Sequence, residues 1–179
     1  MNMQNPCSRL FVFLLLLIST GAFSQNHEKP NSLQIQMEGG FLIPTGKEYA
    51  YRFRAIGSKY LLSNLSLGVG LGTDNYHFNS GSVFKGVYNT APIFADSRYY
   101  FISQMSSPFV FGNLGYALKI NRNFRQGTMA AVGAGYKFTS AGKSSFSLSG
   151  GYNFQNIEAG GTVLNHQINT VSINLGLIL

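Results

Sequence analysis

From Ile93 to Phe101 the chain reads I-F-A-D-S-R-Y-Y-F, and no other stretch restricts its fold as much. Successive side chains of an extended strand point to opposite faces. Ile93, Ala95, Ser97, Tyr99 and Phe101 then share one side, and Phe94, Asp96, Arg98 and Tyr100 share the other. An acid and a base stand two residues apart on the same face, and the opposite face is uncharged. A soluble antiparallel sheet buries its apolar face and wets its charges. A transmembrane barrel turns its apolar face to lipid and encloses the charges. The remaining segments decide between the two.

Eight segments with period-two character follow a short polar lead, Gln25 to Asn31. The first, Leu33 to Ile43, sets Leu33, Ile35, Met37, Phe41 and Ile43 against Gln34, Gln36, Glu38 and Gly40. The second, Tyr49 to Ser58, sets Tyr49, Tyr51, Phe53 and Ala55 against Arg52, Arg54, Ile56 and Ser58. The third is the cleanest comb: Leu65, Leu67, Val69 and Leu71 alternate with Ser66, Gly68, Gly70 and Gly72, and Asp74 continues the polar side. The fourth is the stretch at Ile93. The fifth, Phe109 to Ile120, has Val110, Leu114, Tyr116, Leu118 and Ile120 outward, with Asn113, Gly115, Ala117 and Lys119 inward beside Phe109 and Phe111. The sixth, Thr128 to Phe138, carries Lys137 on its inner side; the seventh, Ser145 to Gln155, carries Asn153. The eighth alternates Val171, Ile173, Leu175, Leu177 and Leu179 with Thr170, Ser172, Asn174 and Gly176. Pro44–Lys47, Lys59–Asn64, Asn75–Asn89, Ile102–Pro108, Asn121–Gly127, Thr139–Ser144 and Asn156–His166 read as connections. The stretches Asn75–Asn89 and Asn156–His166 are the longest.

Charge supplies the test. With each register set by apolar residues alone, Glu38, Arg52, Arg54, Asp74, Asp96, Arg98, Lys119 and Lys137 all fall on the polar face. A lipid-facing Arg or Lys at mid-bilayer costs roughly 2–4 kcal/mol, so a membrane barrel requires this sorting. A soluble sandwich sorts charge as well, but its wet face carries far more Lys and Glu than a chain with only 11% charged residues can supply. Most segments also meet the roughly 9–11 residues a tilted strand needs to cross a bilayer. The expected fold is all-β, an eight-stranded antiparallel transmembrane β-barrel whose lumen is polar and filled by side chains. Enclosed charges must be paired, so the eight ionised residues are expected to form a structural luminal network. Tyr99, Phe101, Phe138 and Phe146 fall near one set of strand ends, as an aromatic girdle does.

The first 24 residues read as an export signal. Arg9 forms the positive region, Leu10 to Ile18 the apolar core, and Ala22-Phe23-Ser24 the small-residue exit. The apolar run is too short to span the roughly 30 Å hydrocarbon core as a helix. Residues 25–179 are then the mature barrel domain, expected in the cell outer membrane. Cys7 leaves with the signal, which excludes disulfides and cysteine-ligated metals from the mature protein. The net charge of +7 falls by one and is scattered. No basic cluster interleaved with aromatics suggests nucleic acid, and attraction to lipid headgroups suffices to explain the balance.

The run Asn89-Thr-Ala-Pro-Ile-Phe-Ala-Asp-Ser-Arg-Tyr-Tyr-Phe101 resembles the P-[IL]-F-x-D-x-R-Y-Y-F strand of a small outer-membrane β-barrel family common in Bacteroidota, within the porin-like, OmpA-like barrel superfamily. Phe53-Arg-Ala-Ile-Gly57, Ser66-Leu-Gly-Val-Gly-Leu-Gly72, Pro108-Phe-Val-Phe111, Gly133-Ala-Gly-Tyr-Lys-Phe138 and the Ser24-Gln25 signal exit are similar in order and spacing. The resemblance implies a fold and a location and assigns no single activity. The chain departs from many barrels in ending on Leu179 instead of an aromatic residue.

No catalytic, cofactor-binding or metal-ligating residue is assigned from the sequence, and no cofactor is expected. Asp74 and His77 with Ser80 or Ser82 invite comparison with barrel enzymes that modify lipid, but nucleophile, base and orienter must converge within hydrogen-bond reach. These residues sit on a strand end and a Gly/Ser loop without a spacing motif. His27, His77 and His166 lack metal-ligand spacing, and the Gly-x-Gly runs precede no helix that could hold phosphate. The expected role is therefore structural or loop-mediated interaction by a monomer. Its partners are outer-membrane lipid, the barrel-assembly machinery and an envelope or extracellular partner at loops 75–89 and 156–166. A lipid-modifying barrel enzyme using His77 and a secreted or periplasmic soluble β-barrel binding protein are the alternatives.

Overall fold

The computed structural model describes residues 33–44, 49–78, 86–102, 106–122, 124–139, 144–158 and 165–179. The signal segment, His27, Ser80 and Ser82 lie outside them. Eight long strands form the wall: β1 (Leu33–Pro44), β2 (Tyr49–Tyr60), β3 (Leu65–Phe78), β4 (Gly86–Tyr100), β5 (Ser107–Leu118), β7 (Gly127–Thr139), β8 (Ser145–Glu158) and β9 (Asn165–Ile178). The two-residue β6 (Phe124–Arg125) lies parallel to β4. Each long strand pairs antiparallel with its neighbours, and β1 pairs with β9, so the sheet closes on itself. Ile35 and Leu179 exchange both backbone hydrogen bonds at the end of that seam, at 3.3 and 2.9 Å.

The registers set the tilt. A circuit from Leu33 passes through Lys59, Leu67, Ser97, Gly112, Val132, Tyr152 and Val171 and returns to β1 at Ile43, ten residues from its start. A stagger of this size around eight strands accompanies a tilt of about 40°. Because the offset is even, every residue on the circuit keeps the same facing, and no strand is turned inside out on closure. One rim carries Leu33, Leu179 and the hairpins β2–β3, β4–β5 and β7–β8; we call it the terminal rim. The other, the loop rim, carries the remaining connections.

The alternation read from the sequence holds along the wall. Leu67, Val69, Ile173 and Leu175 are exposed on the outside, while Gln36, Glu38, Arg52, Ser66, Asp74, Asp96, Arg98 and Asn174 are buried inside. The strand limits differ. Asn75–Asn89 and Asn156–His166 are not long loops: β3 runs on to Phe78 and β4 starts at Gly86, while β8 reaches Glu158 and β9 starts at Asn165. The outward face turns polar there (Thr73, Asn75, His77), which ends the hydrophobic signal without ending the backbone ladder. Likewise β6 interrupts the loop Asn121–Gly127 by returning alongside Asn89 and Thr90.

Glycine makes room where the wall meets large luminal side chains. A Cβ at Gly135 would stand 2.6 Å from both the Leu148 carbonyl oxygen and the Phe109 ring, and one at Gly115 would collide with the Ile93 carbonyl. Outside, near the terminal rim, Tyr99 packs edge-on against Phe101, and the Tyr136 and Phe138 rings pack at a tilt.

Candidate functional site

The lumen holds two ionic clusters at different depths. Toward the loop rim, Arg52 donates from Nε and Nη2 to the two carboxylate oxygens of Asp74, at 3.2 and 2.9 Å, and Arg54 Nη2 donates to Asp74 Oδ2 at 3.2 Å. Arg52 Nη1 also donates to Asn153 Oδ1 at 2.7 Å, which joins β2 to β8 across the barrel. Toward the terminal rim, Arg98 donates to both oxygens of Asp96 on its own strand and from Nη2 to Glu38 Oε1 at 2.8 Å. Gln36 Nε2 donates to Glu38 Oε1 at 2.7 Å and to Ser147 Oγ at 3.3 Å.

Asn113 joins the clusters. With its amide oriented to satisfy both ends, its oxygen accepts from Arg54 Nη1 at 3.2 Å and its nitrogen donates to Asp96 Oδ1 at 3.1 Å. Three carboxylates and three guanidiniums are thus linked by one chain of contacts from Asn153 to Ser147. All six are buried. The pairs sit on strands that the register places side by side, Arg52 opposite Asp74 and Asp96 opposite Asn113. Guanidinium planes fill the remaining space, Arg54 lying 4.7 Å over the Phe94 ring and Arg98 5.6 Å over Phe109.

Apolar packing bounds the charged section at both ends. Leu42, Ala50, Tyr76, Ile157 and Ile168 cluster under the loop rim with Tyr88 against them, and the Tyr76 hydroxyl donates to Gln155 Oε1 at 3.1 Å. At the terminal rim Tyr100 lies between Tyr60 and Phe109, with ring centroids 5.8 and 5.5 Å away.

Two of the eight charges expected in the network stand elsewhere. Lys119 is exposed, because β5 ends at Leu118 and the alternation that aimed it inward stops one residue earlier. Lys137 is buried, but it lies at the terminal end with its ammonium 4.9 Å from the Tyr100 ring centroid. The neutral members Gln36, Asn113 and Asn153 carry no charge that would single them out in the sequence. Their signal was inward parity, which the sequence gives only strand by strand.

The expected alternative around His77 does not assemble as a relay with Asp74. Asp74 faces the lumen and is committed to two arginines, while His77, three residues on, faces outward with its ring stacked on Tyr49 (4.8 Å) and near Tyr51 (5.7 Å). His166 belongs to β9. Among the described residues, no group of three His, Cys, Asp or Glu is placed to hold a metal ion.

No family model and no curated protein matches the sequence. Solved structures do match. Neisserial surface protein A superposes with a TM-score of 0.63 over 82% of this chain and 96% of that one, at 10% identity. The outer membrane enzyme PagL superposes at 0.56 over 79% and 97%, at 16% identity. The fold is that of a small outer-membrane β-barrel. At these identities the likeness concerns the backbone architecture. The barrel's luminal side chains have to be read from this chain alone.

Proposed function

We propose that this protein is exported, is inserted in the outer membrane as a monomeric barrel, and serves as a structural or loop-mediated interaction protein without an open pore. The observation that supports this most is the lumen. A chain of side-chain contacts crosses it from Asn153 on β8 to Asp96 on β4 and Ser147 on β8, with apolar clusters above and below. Eight strands leave an interior that side chains can fill. The exposed Leu, Ile, Val and Phe of the outer wall then meet acyl chains, and the loop rim is left to an envelope or extracellular partner. The group its fourth strand resembles, the small barrels common in Bacteroidota, is the source we favour. Insertion would depend on the barrel-assembly machinery acting on the β9 seam.

The test is fractionation of cells expressing the full chain. The barrel should stay in the membrane pellet through carbonate and high salt. In a denaturing gel it should migrate anomalously until boiled. Release by carbonate without detergent would favour the soluble binding protein.

The second reading is a lipid-modifying enzyme. It is favoured by the outward position of His77 at the loop rim, where a lipid headgroup region would lie, and by the fold shared with a protein described as an outer membrane enzyme. Mass spectrometry of outer-membrane lipids from cells carrying the wild type and His77→Ala decides it. A modification lost in the variant would establish the enzyme, and identical spectra would remove it.

A further inference from the structure

Two outward-facing glycines of the wall, Gly57 on β2 and Gly112 on β5, have no packing reason to be there. A Cβ at Gly112 would meet nothing within 4 Å, whereas those at Gly115, Gly133 and Gly135 would collide with backbone or rings. Gly112 faces outward on β5, and it sits in the floor of a groove of about 420 Å³ in the outer wall. Ala95 and Ser97 on β4 and Ala130 on β7 continue the floor, with Leu114 and Val132 rising beside it. The registers Ser97↔Gly112↔Val132 and Ala95↔Leu114↔Ala130 align these residues in two adjacent rows across the strands.

The groove is narrow. Strands lie about 4.8 Å apart, so the few strands it crosses leave room for a lipid tail. A stable protein partner needs about 1,000 Å² of matched surface, which a depression of this size does not provide. Charge at the head of the same strands indicates what carries the tail. β5 ends at Leu118, and exposed Lys119 and Arg122 follow at once. At roughly 3.3 Å per residue, Lys119 stands about 16 Å along the strand from Leu114. The connection bearing Lys119 and Arg122 runs on into β6, which pairs with Asn89 and Thr90 of β4 and whose Arg125 is engaged over the Tyr88 ring. The cations therefore crown the two strands that supply Ala95, Ser97, Gly112 and Leu114.

We infer that the outer wall binds one phosphorylated lipid, its headgroup at Lys119 and Arg122 and one acyl chain in the groove over Gly112. This rests on the reading of the chain as an outer-membrane barrel and names a lipid partner for it. Gly112 keeps the groove open, and the two cations select the headgroup.

The chain contains no tryptophan, so one introduced tryptophan is an unambiguous reporter. Val132→Trp places it at the groove, and Phe41→Trp on β1 places it on the far side of the barrel. Each barrel is reconstituted in low-salt vesicles of phosphatidylcholine containing equal fractions of brominated-tail phosphatidic acid or brominated-tail phosphatidylcholine. At Val132→Trp, phosphatidic acid should quench more strongly, with a relative binding constant raised by up to about fivefold per cation. Phe41→Trp should show no preference. Adding K119Q and R122Q should abolish the preference, and Gly112→Leu should reduce quenching by the preferred lipid while the barrel still folds. Inorganic phosphate should leave the preference nearly intact, because the tail contributes to binding; its full loss to phosphate would overturn the tail's part. Equal quenching by both lipids at Val132→Trp, a preference surviving K119Q with R122Q, or undiminished quenching by phosphatidic acid in Gly112→Leu would overturn the site. Absence of quenching at both positions by either lipid would overturn membrane insertion itself, and the site with it.

Discussion

Asp74 accepts hydrogen bonds from two arginines inside the barrel, and removing it leaves both guanidiniums enclosed without their carboxylate. Breaking a buried pair from one side costs roughly 3–5 kcal/mol. Asp74→Ala should therefore lower the urea midpoint of the barrel in lipid vesicles by a corresponding amount. In vesicles of phosphatidylcholine alone, Lys119→Ala, at an exposed position, should stay within about 0.5 kcal/mol of wild type. A loss for Asp74→Ala as small as that for Lys119→Ala would show that the lumen is hydrated well enough to support lone charges. The glycines make a second residue-scale pair. Gly115→Val drives a side chain into the Ile93 carbonyl and should impair folding, while Gly112→Val enters open space and should fold normally in the same assay. Inward parity made Glu38, Arg52, Arg54, Asp74, Asp96 and Arg98 legible in the sequence. Their partners were not, because which carboxylate meets which guanidinium depends on strands that lie apart in the chain, as Glu38 and Arg98 do.

At the scale of the strand, β3 shows what an alternating sequence can and cannot convey. Its comb of Leu67, Val69 and Leu71 against Gly68, Gly70 and Gly72 reveals the strand and its facing. Its end at Phe78 was hidden because Thr73, Asn75 and His77 replace the outward hydrophobes. Backbone pairing with Tyr49 and Val87 carries the ladder to His77, whatever the outward side chains are. The same strand offers a direct test of where the outer face lies. Val69 is 69% exposed, and Val69→Arg should cost roughly 2–4 kcal/mol if that face meets hydrocarbon. The measurement is unfolding in vesicles, with Val69→Thr as the milder control. A neutral Val69→Arg would place the outer wall in water and count against the membrane reading.

At the scale of the molecule, the closed wall and the crossed lumen lead to a statement about transport. With Arg52, Arg98 and the Asn113 bridge between two apolar clusters, no continuous water path of ionic width is expected. Purified barrel added to planar bilayers should give no steady single-channel conductance at moderate voltage. Discrete steps of pore size that persist in independent preparations would overturn the filled-lumen reading. The ten-residue stagger gives the wall its tilt and sets Asp96 beside Asn113, while Asn113 bridges to Arg54. The network and the shape of the barrel thus follow from the same registers.

Parity is a property of neighbouring residues, so the chain by itself determined that it forms strands, which face of each is apolar, and that the charges inside those strands share the opposite face. Closure, stagger and pairing are relations between distant strands. Only the tertiary structure decided that β1 meets β9, that Asn113 joins two ionic clusters, that Lys119 escapes the lumen one residue past a strand end, and that β3 runs on past Asp74 to carry His77. A period of two tells each residue its side, but the register of hydrogen bonds tells it its neighbour.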